Sequence, residues 1–171
     1  MEDQYYIKYI DAYAKIEDKT DKRSLLYQQF INKFKDNTKV IQFGVRNEKV
    51  SPNWISIDLY DTRPVIDYNW DIMKLPIADD TFDGIVCNAI LEHVPYPHQA
   101  IAEMYRILKK QGEIWIEVPL NQPYHPSPKD YWRVTPSGID IWLEKFTKID
   151  SGIFYINKSY IYNGIFFYGR K

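Results

Sequence analysis

The stretch Thr81–Val94, TFDGIVCNAILEHV, constrains the fold of this chain more than any other. Asp83-Gly84 is a turn signal that leads into Ile85-Val86-Cys87, a continuous apolar run with no period-two alternation. Such a run fits a strand covered on both faces, as in a parallel sheet lying between helices. It then breaks into polar residues, Asn88 and then Glu92 and His93, just ahead of Pro95 and Pro97. Open α/β sheets bind ligands in the crevice beyond the carboxyl ends of their strands. Asn88, Glu92 and His93 are therefore expected where chemistry is done.

The segments on either side supply the rest of an α/β fold. Lys39–Gly44 (KVIQFG) reads as a strand ending in glycine, and Trp54–Asp58 (WISID) as a strand ending in a carboxylate. Val65–Trp70 is a third strand candidate and residues 82–87 the fourth. Pro97 suits the first position of a helix, where its missing N–H costs nothing. That helix has Ile101, Met104, Tyr105 and Leu108 as its stripe, Lys109 and Lys110 at its negative end and Gly112 as its stop. Glu113–Val118 is a fifth strand, followed by a proline-rich loop over Asn121–Trp132 and a helix at about 135–146. Two aromatic strands near 148–156 and 160–168 close the chain. Ahead of all this, residues 1–36 read as a helical segment. Tyr6, Tyr9, Ile10 and Tyr13 mark one helix, and Leu26, Phe30 and Phe34 a second, capped by Thr20 or Asp21. Both helices are expected to cover one sheet face, with a lid made from the first helix's tyrosines as the alternative. The pattern indicates a single domain over 1–171, with the α/β core in 37–171 and helices on both faces of a mostly parallel sheet.

The totals narrow the function classes. Lys+Arg 22 against Asp+Glu 23 leaves a net charge of -1, so no global field recruits nucleic acid or an anionic membrane. One cysteine excludes an internal disulfide and fits a reducing compartment. No apolar run approaches membrane-spanning length, and the N-terminal residues are too polar and acidic for a signal peptide, so a cytoplasmic setting is expected. Gly 7 is sparse for a chain that holds a nucleotide.

Three pieces, in this order and spacing, carry a family resemblance: LPIADDTFDGIVCNAILEHV, EMYRILKKQGEIWIEVP and QPYHPSPKDYWRVTP. From Lys39 to about Ile149 the chain resembles the class I S-adenosylmethionine-dependent methyltransferases, in their small bacterial type-11 form. The last piece resembles a branch often found with cell-surface polysaccharide genes. The resemblance implies a Rossmann-like sheet with an antiparallel last strand, and S-adenosylmethionine as cofactor. It places Gly44 where backbone approaches the methionine part and Asp58 on the ribose hydroxyls. Asp71 falls at the adenine amino group, with Ile72 against the ring, and Asn88 and Ala89 fall at the methionine end. Two residues depart from the family's acidic-x-Gly-x-Gly motif: Gln42 replaces the acidic residue, and Arg46 stands where a second glycine is expected. Arg46 must open the loop, point away, or pair with the cofactor's carboxylate. The loops at 44–54 and 58–65 are too short for full crossover helices.

Methyl transfer to a hydroxyl needs a group to take the acceptor's proton. The candidates are His93, His125 and Asp130, with Glu92 as an orienting partner. Tyr131, Trp132 and Arg133 offer an aromatic platform and a guanidinium fork, a wall suited to a sugar or an anionic sugar nucleotide. The plainer alternative is a rigid loop in which Asp130 and Arg133 pair with each other. His98 is expected in solvent, Cys87 reads as a small buried hydrophobe, and no Cys/His/carboxylate spacing suggests a metal. The reading is a methyltransferase acting on a small or glycan-type hydroxyl, with no nucleic-acid or membrane partner. The alternatives are a non-catalytic methyltransferase-like binding or scaffold protein and, third, a protein or nucleic-acid methyltransferase.

Overall fold

The structure, a computed structural model, describes residues 19–36, 39–156 and 159–171. The expected first helix, with Tyr6, Tyr9, Ile10 and Tyr13, lies outside the described residues. Within them the chain runs α1 (Thr20–Phe34), β1 (Val40–Phe43), β2 (Ile55–Ile57), β3 (Phe82–Asn88), a 3-10 turn (Leu91–His93), α2 (Pro97–Ile107), β4 (Leu108–Asn121), α3 (Pro136–Trp142), β5 (Thr147–Ile156) and β6 (Ser159–Arg170). The six strands form one sheet in the order β2-β1-β3-β4-β6-β5. β1, β2, β3 and β4 are parallel, and β6 runs antiparallel between β4 and β5. This is a Rossmann-like α/β sheet with an antiparallel edge.

The central strands are mostly apolar on both faces because each face meets its own core. Ile41, Phe43, Ile85, Cys87, Ile114 and Ile116 face the side covered by Ile101 and Met104 of α2 and Ile139 of α3. Val40, Val86, Trp115 and Phe166 pack on the other side with Phe30 and Phe34 of α1 and with Trp54. Trp54 Nε1 donates to the Phe34 carbonyl at 3.0 Å, so the loop before β2 closes over the end of α1.

Several boundaries differ from the sequence expectation, each for a local reason. Residues 65–70 form no strand; only Tyr68 makes a single parallel bridge, to Ile57. The carboxylate of Asp67 accepts the Ser56 N–H (2.8 Å) and the Ser56 hydroxyl donates to the Val65 carbonyl (2.6 Å), so side chains replace a ladder there. α2 stops at Ile107 because Leu108 turns extended (φ -77, ψ 132) and pairs with Phe82. Lys109, Lys110 and Gly112 therefore belong to β4; the left-handed residue is Gln111 (φ 64), and Lys109 pairs with Asp83 at 2.7 Å. α3 is shorter than expected, capped by the Thr135 hydroxyl, which accepts the Gly138 N–H at 3.1 Å. Lys19, not Thr20 or Asp21, is the N-cap of α1; the Thr20 hydroxyl instead accepts the Tyr155 N–H at 2.9 Å and ties α1 to β5.

Glu113 of β4 joins three elements. Its buried carboxylate accepts from Lys33 of α1 (2.8 Å), and from the Tyr168 hydroxyl (2.6 Å) and Arg170 (2.7 Å) of β6. Burial pushes its pKa up, but Lys33, Tyr168 and Arg170 outweigh that and hold it below the ordinary value. A carboxyl depressed on folding stabilises above its unfolded pKa, and the contribution is lost as pH falls through the folded one. Glu113→Gln is expected to lose about 1.5–3 kcal/mol near neutral pH, the scale of hydrogen bonds to a charged group. That corresponds to a Tm lower by roughly 4–8 °C. The gap between the two proteins should shrink below about pH 4, which calorimetry across pH would read directly.

Candidate active site

Beyond the carboxyl ends of β1, β2 and β3 lies a cleft of about 520 Å³. That size suits a drug-sized ligand or a nucleotide-like cofactor. Its floor begins at Gly44, whose φ of 72 puts it in the left-handed region that side chains avoid. The Gly44 N–H donates to the Ile57 carbonyl at 2.8 Å, joining the loop to β2. Ile90 fills the space a side chain at this position would take.

Gln42 has a structural task that a carboxylate could not perform. It is buried, its Nε2 donates to the Gly44 carbonyl at 2.9 Å, and its Oε1 accepts the Val50 N–H at 3.0 Å. Arg46 is exposed and does not line the cleft. From outside, Arg63 braces the same loop by donating to the carbonyls of Val45 (2.7 Å) and Arg46 (3.0 Å). The loop is thus held at both sides without a second glycine.

Asp58 follows β2, and its Oδ1 accepts the N–H groups of Tyr60 and Asp61, both at 2.9 Å. Its Oδ2 has no hydrogen bond from the described residues. Asp71 lines the same cleft and accepts the Met73 N–H at 2.8 Å. Beside it stand buried Ile72 and the ring of Trp70, which stacks on Tyr68 at 4.2 Å and 12°. Ala89, with φ 53, lines the cleft beyond β3. Asn88 does not line it: its Nδ2 donates to the Tyr27 hydroxyl of α1 at 3.1 Å. Burial, helped by the charge of Glu117, pushes that hydroxyl up to about 12. Arg63 and Trp70, both in the cleft wall, were not marked as site residues in the sequence, because loop residues follow no periodicity.

The opposite wall joins two segments distant in sequence. The Glu92 carbonyl accepts the Tyr131 N–H at 2.7 Å, and Trp132 Nε1 donates to the Val94 carbonyl at 2.9 Å. His93 and Tyr131 line the cleft; His125, Asp130, Trp132 and Arg133 do not. Arg133 grips Asp130 with both terminal nitrogens (2.7 and 2.8 Å) and donates to the Pro123 carbonyl at 2.8 Å. Asp130 also accepts the His125 N–H at 2.8 Å, and Arg133 holds its carboxyl well below the usual range against the opposing effect of burial. Asp130 and Arg133 therefore pair with each other and brace the loop. Behind His93 lies Glu92, fully buried, its carboxyl raised to about 7 chiefly by burial. Its Oε1 is 3.8 Å from Nε2 of both His93 and His125. Residue spacing gave no hint of this cluster, because the fold carries His125 back across the end of the sheet.

Residues 49–116 match the family model described as a methyltransferase domain. Among solved structures, the N-methyltransferase NodS of Bradyrhizobium japonicum, in complex with S-adenosyl-L-homocysteine, superposes with a TM-score of 0.61 at 14% identity, over 78% of this chain and 78% of that one. The chain has the class I methyltransferase fold. The cyclase SpnF shares this fold too, at a TM-score of 0.63 and 12% identity over 85% of this chain and 79% of its own, so the fold alone does not decide the reaction. The demethylmenaquinone methyltransferase of Lactobacillus johnsonii is 37% identical over 62 residues, which is 36% of this chain and 25% of that protein. The chain spans about a quarter or less of the length of the curated relatives it matches, 21% and 25%. The class I fold and the domain match support S-adenosylmethionine as the cofactor. Among the described residues, no helix is long and apolar enough to cross a membrane.

The brace by Gln42 is testable. Gln42→Glu keeps the acceptor for Val50 but sets an oxygen against the Gly44 carbonyl. It is expected to cost about 1–3 kcal/mol, the scale of a buried polar group left without its partner. Unchanged denaturant stability in this variant would show that the amide does not hold the loop.

Proposed function

We propose that the chain is an S-adenosylmethionine-dependent methyltransferase acting on a hydroxyl of a small or glycan-type acceptor, in the setting of polysaccharide biosynthesis. The observation that carries this reading is that Asp58, Asp71 and His93 line one cleft at the carboxyl end of a class I sheet. When bound, S-adenosylmethionine supplies a methyl group on a sulfonium sulfur. The chain's residues would bind, orient and exclude water. Asp58 would accept the ribose hydroxyls through Oδ2, its Oδ1 being engaged by two backbone N–H groups. Asp71 would meet the adenine amino group, and Ile72 and Trp70 would shield the ring. Gly44 and Ala89 would form the methionine end. Asn88, turned toward Tyr27, would support that end by holding α1 in place.

The acceptor's proton would leave toward the Glu92, His93 and His125 cluster, of which His93 reaches the cleft. Tyr131 would be the substrate wall. Asp130 and Arg133 would position His125 and Tyr131, with Trp132 anchoring the loop through Val94.

A second reading, a methyltransferase-like binding or scaffold protein without catalysis, is favoured by one contact: Ile90 covers the face of Gly44 that backbone would present to the cofactor. Calorimetric titration with S-adenosylhomocysteine separates the two. The enzyme reading expects binding by the wild type and roughly 10–100-fold weaker binding by Asp58→Ala, the loss of about 1.5–3 kcal/mol for hydrogen bonds to a charge. No heat at millimolar ligand would leave the scaffold reading.

A further inference from the structure

We propose that Glu92, His93 and His125 form a site for one divalent transition-metal ion of the Zn2+ class, beside the cleft that His93 lines. Three side chains bring one ligand atom each into a group whose members all lie within 4.8 Å of one another. Glu92 is 0% exposed, and neither of its carboxylate oxygens has a hydrogen-bond partner among the described residues. Buried polar groups are nearly always satisfied, and a carboxylate left without donors is costly. Its Oε1 lies 3.8 Å from Nε2 of His93 and 3.8 Å from Nε2 of His125.

The outer nitrogens of the two rings explain what those inner nitrogens offer. His93 Nδ1 is 2.5 Å from the Lys129 carbonyl, and His125 Nδ1 is 2.8 Å from the Pro123 carbonyl. A carbonyl can only accept, so in the neutral tautomer that satisfies these contacts Nδ1 carries the proton and Nε2 presents a lone pair. Two lone pairs and a carboxylate then converge with no donor between them, an arrangement that a cation completes. Histidine ligands of metals characteristically donate their other ring N–H to a backbone carbonyl or a carboxylate. Both histidines do so here, and Asp130 Oδ2 stands 3.5 Å from His125 Nδ1 as well. The guanidinium of Arg133, 3.2 Å from the same nitrogen, opposes a cation, but both of its terminal nitrogens bond to Asp130.

The donor set selects the kind of ion. Two imidazoles and one carboxylate suit Zn2+ or another first-row divalent ion with an open position, whereas Mg2+ and Ca2+ favour oxygen ligands. Bonds of about 2.0–2.2 Å in a tetrahedral site set ligand atoms about 3.3 Å apart. The two carboxylate–imidazole distances of 3.8 Å would therefore shorten by roughly half an ångström, and the two ring nitrogens, which lie within 4.8 Å of each other, by up to about 1.5 Å around the ion. His125 sits on the loop after β4 with 39% of its side chain exposed, which gives both the freedom to close and a way in.

This site goes beyond the methyl-transfer reading: an ion held there would occupy the Nε2 lone pairs that otherwise take the acceptor's proton, and its readout is the metal. The full chain, stripped with chelator, would be titrated with Zn2+ by calorimetry and with Co2+ by visible absorption. One ion per chain, with Co2+ bands of a nitrogen-and-oxygen site, is expected. Glu92→Gln and His125→Ala should each weaken binding by at least about tenfold. Glu92 is buried, so His125→Ala, at a partly exposed position, keeps the test sound if Glu92→Gln folds poorly. The chain has His 3, and the third, His98, is exposed on α2, so His98→Ala is the control and should bind like the wild type. No stoichiometric binding at submillimolar Zn2+, binding unchanged in His125→Ala, or binding lost in His98→Ala would each overturn the proposal.

Discussion

Burial of β3 on both faces is the constraint on which the rest of this structure depends. Ile85 and Cys87 pack into one core and Val86 into the other, while β1 and β4 flank the strand in parallel. A strand so enclosed cannot slip or tilt without opening two cores at once. Its carboxyl end is therefore a fixed point. Ala89, Ile90 and the 3-10 turn Leu91–His93 leave it at once for the cleft, and the loop carrying Tyr131 hangs from the Glu92 carbonyl.

The loop after β1 shows how a nucleotide-type crevice can be built with few glycines. Backbone that approaches a ligand closely is usually freed by several glycines in series. Here a single left-handed glycine makes the turn, and side chains hold the shape: Gln42 clamps the Gly44 carbonyl from within, and Arg63 clamps Val45 and Arg46 from outside. A neutral amide at position 42 is a consequence of that design, because the position must donate and accept together. Gln42 and Arg63 thus stiffen the loop without a second glycine.

Polar residues at the ends of the strands have been sorted into two kinds by what surrounds them. Asp130 and Arg133 satisfy each other and the loop backbone, so their chemistry is spent on shape. Glu92 is buried without such partners, and two imidazole nitrogens face it. Unsatisfied polar groups in a core are costly, and where a fold retains one beside a cleft, function is the economical explanation. The class I fold itself hosts more than one reaction, so the chemistry must be read from such side chains rather than from the sheet.

The sequence by itself determined most of the elements and which end of the sheet carries the cleft. The unbroken apolar run Ile85–Cys87 announced a strand covered on both faces, Lys39–Gly44 a strand ending in glycine, and Pro97 a helix start. Gly44, Asp58, Asp71, Ile72, Ala89, His93 and Tyr131 were all marked in the sequence and all line the cleft. Periodicity and capping are local, and a chain records local physics directly. Only the tertiary structure decided that residues 65–70 form no strand, that Asn88 turns to Tyr27, that Asp130 belongs to Arg133, and that His125 returns to Glu92 and His93. Those outcomes depend on contacts between residues far apart along the chain, whose partners no window of sequence contains.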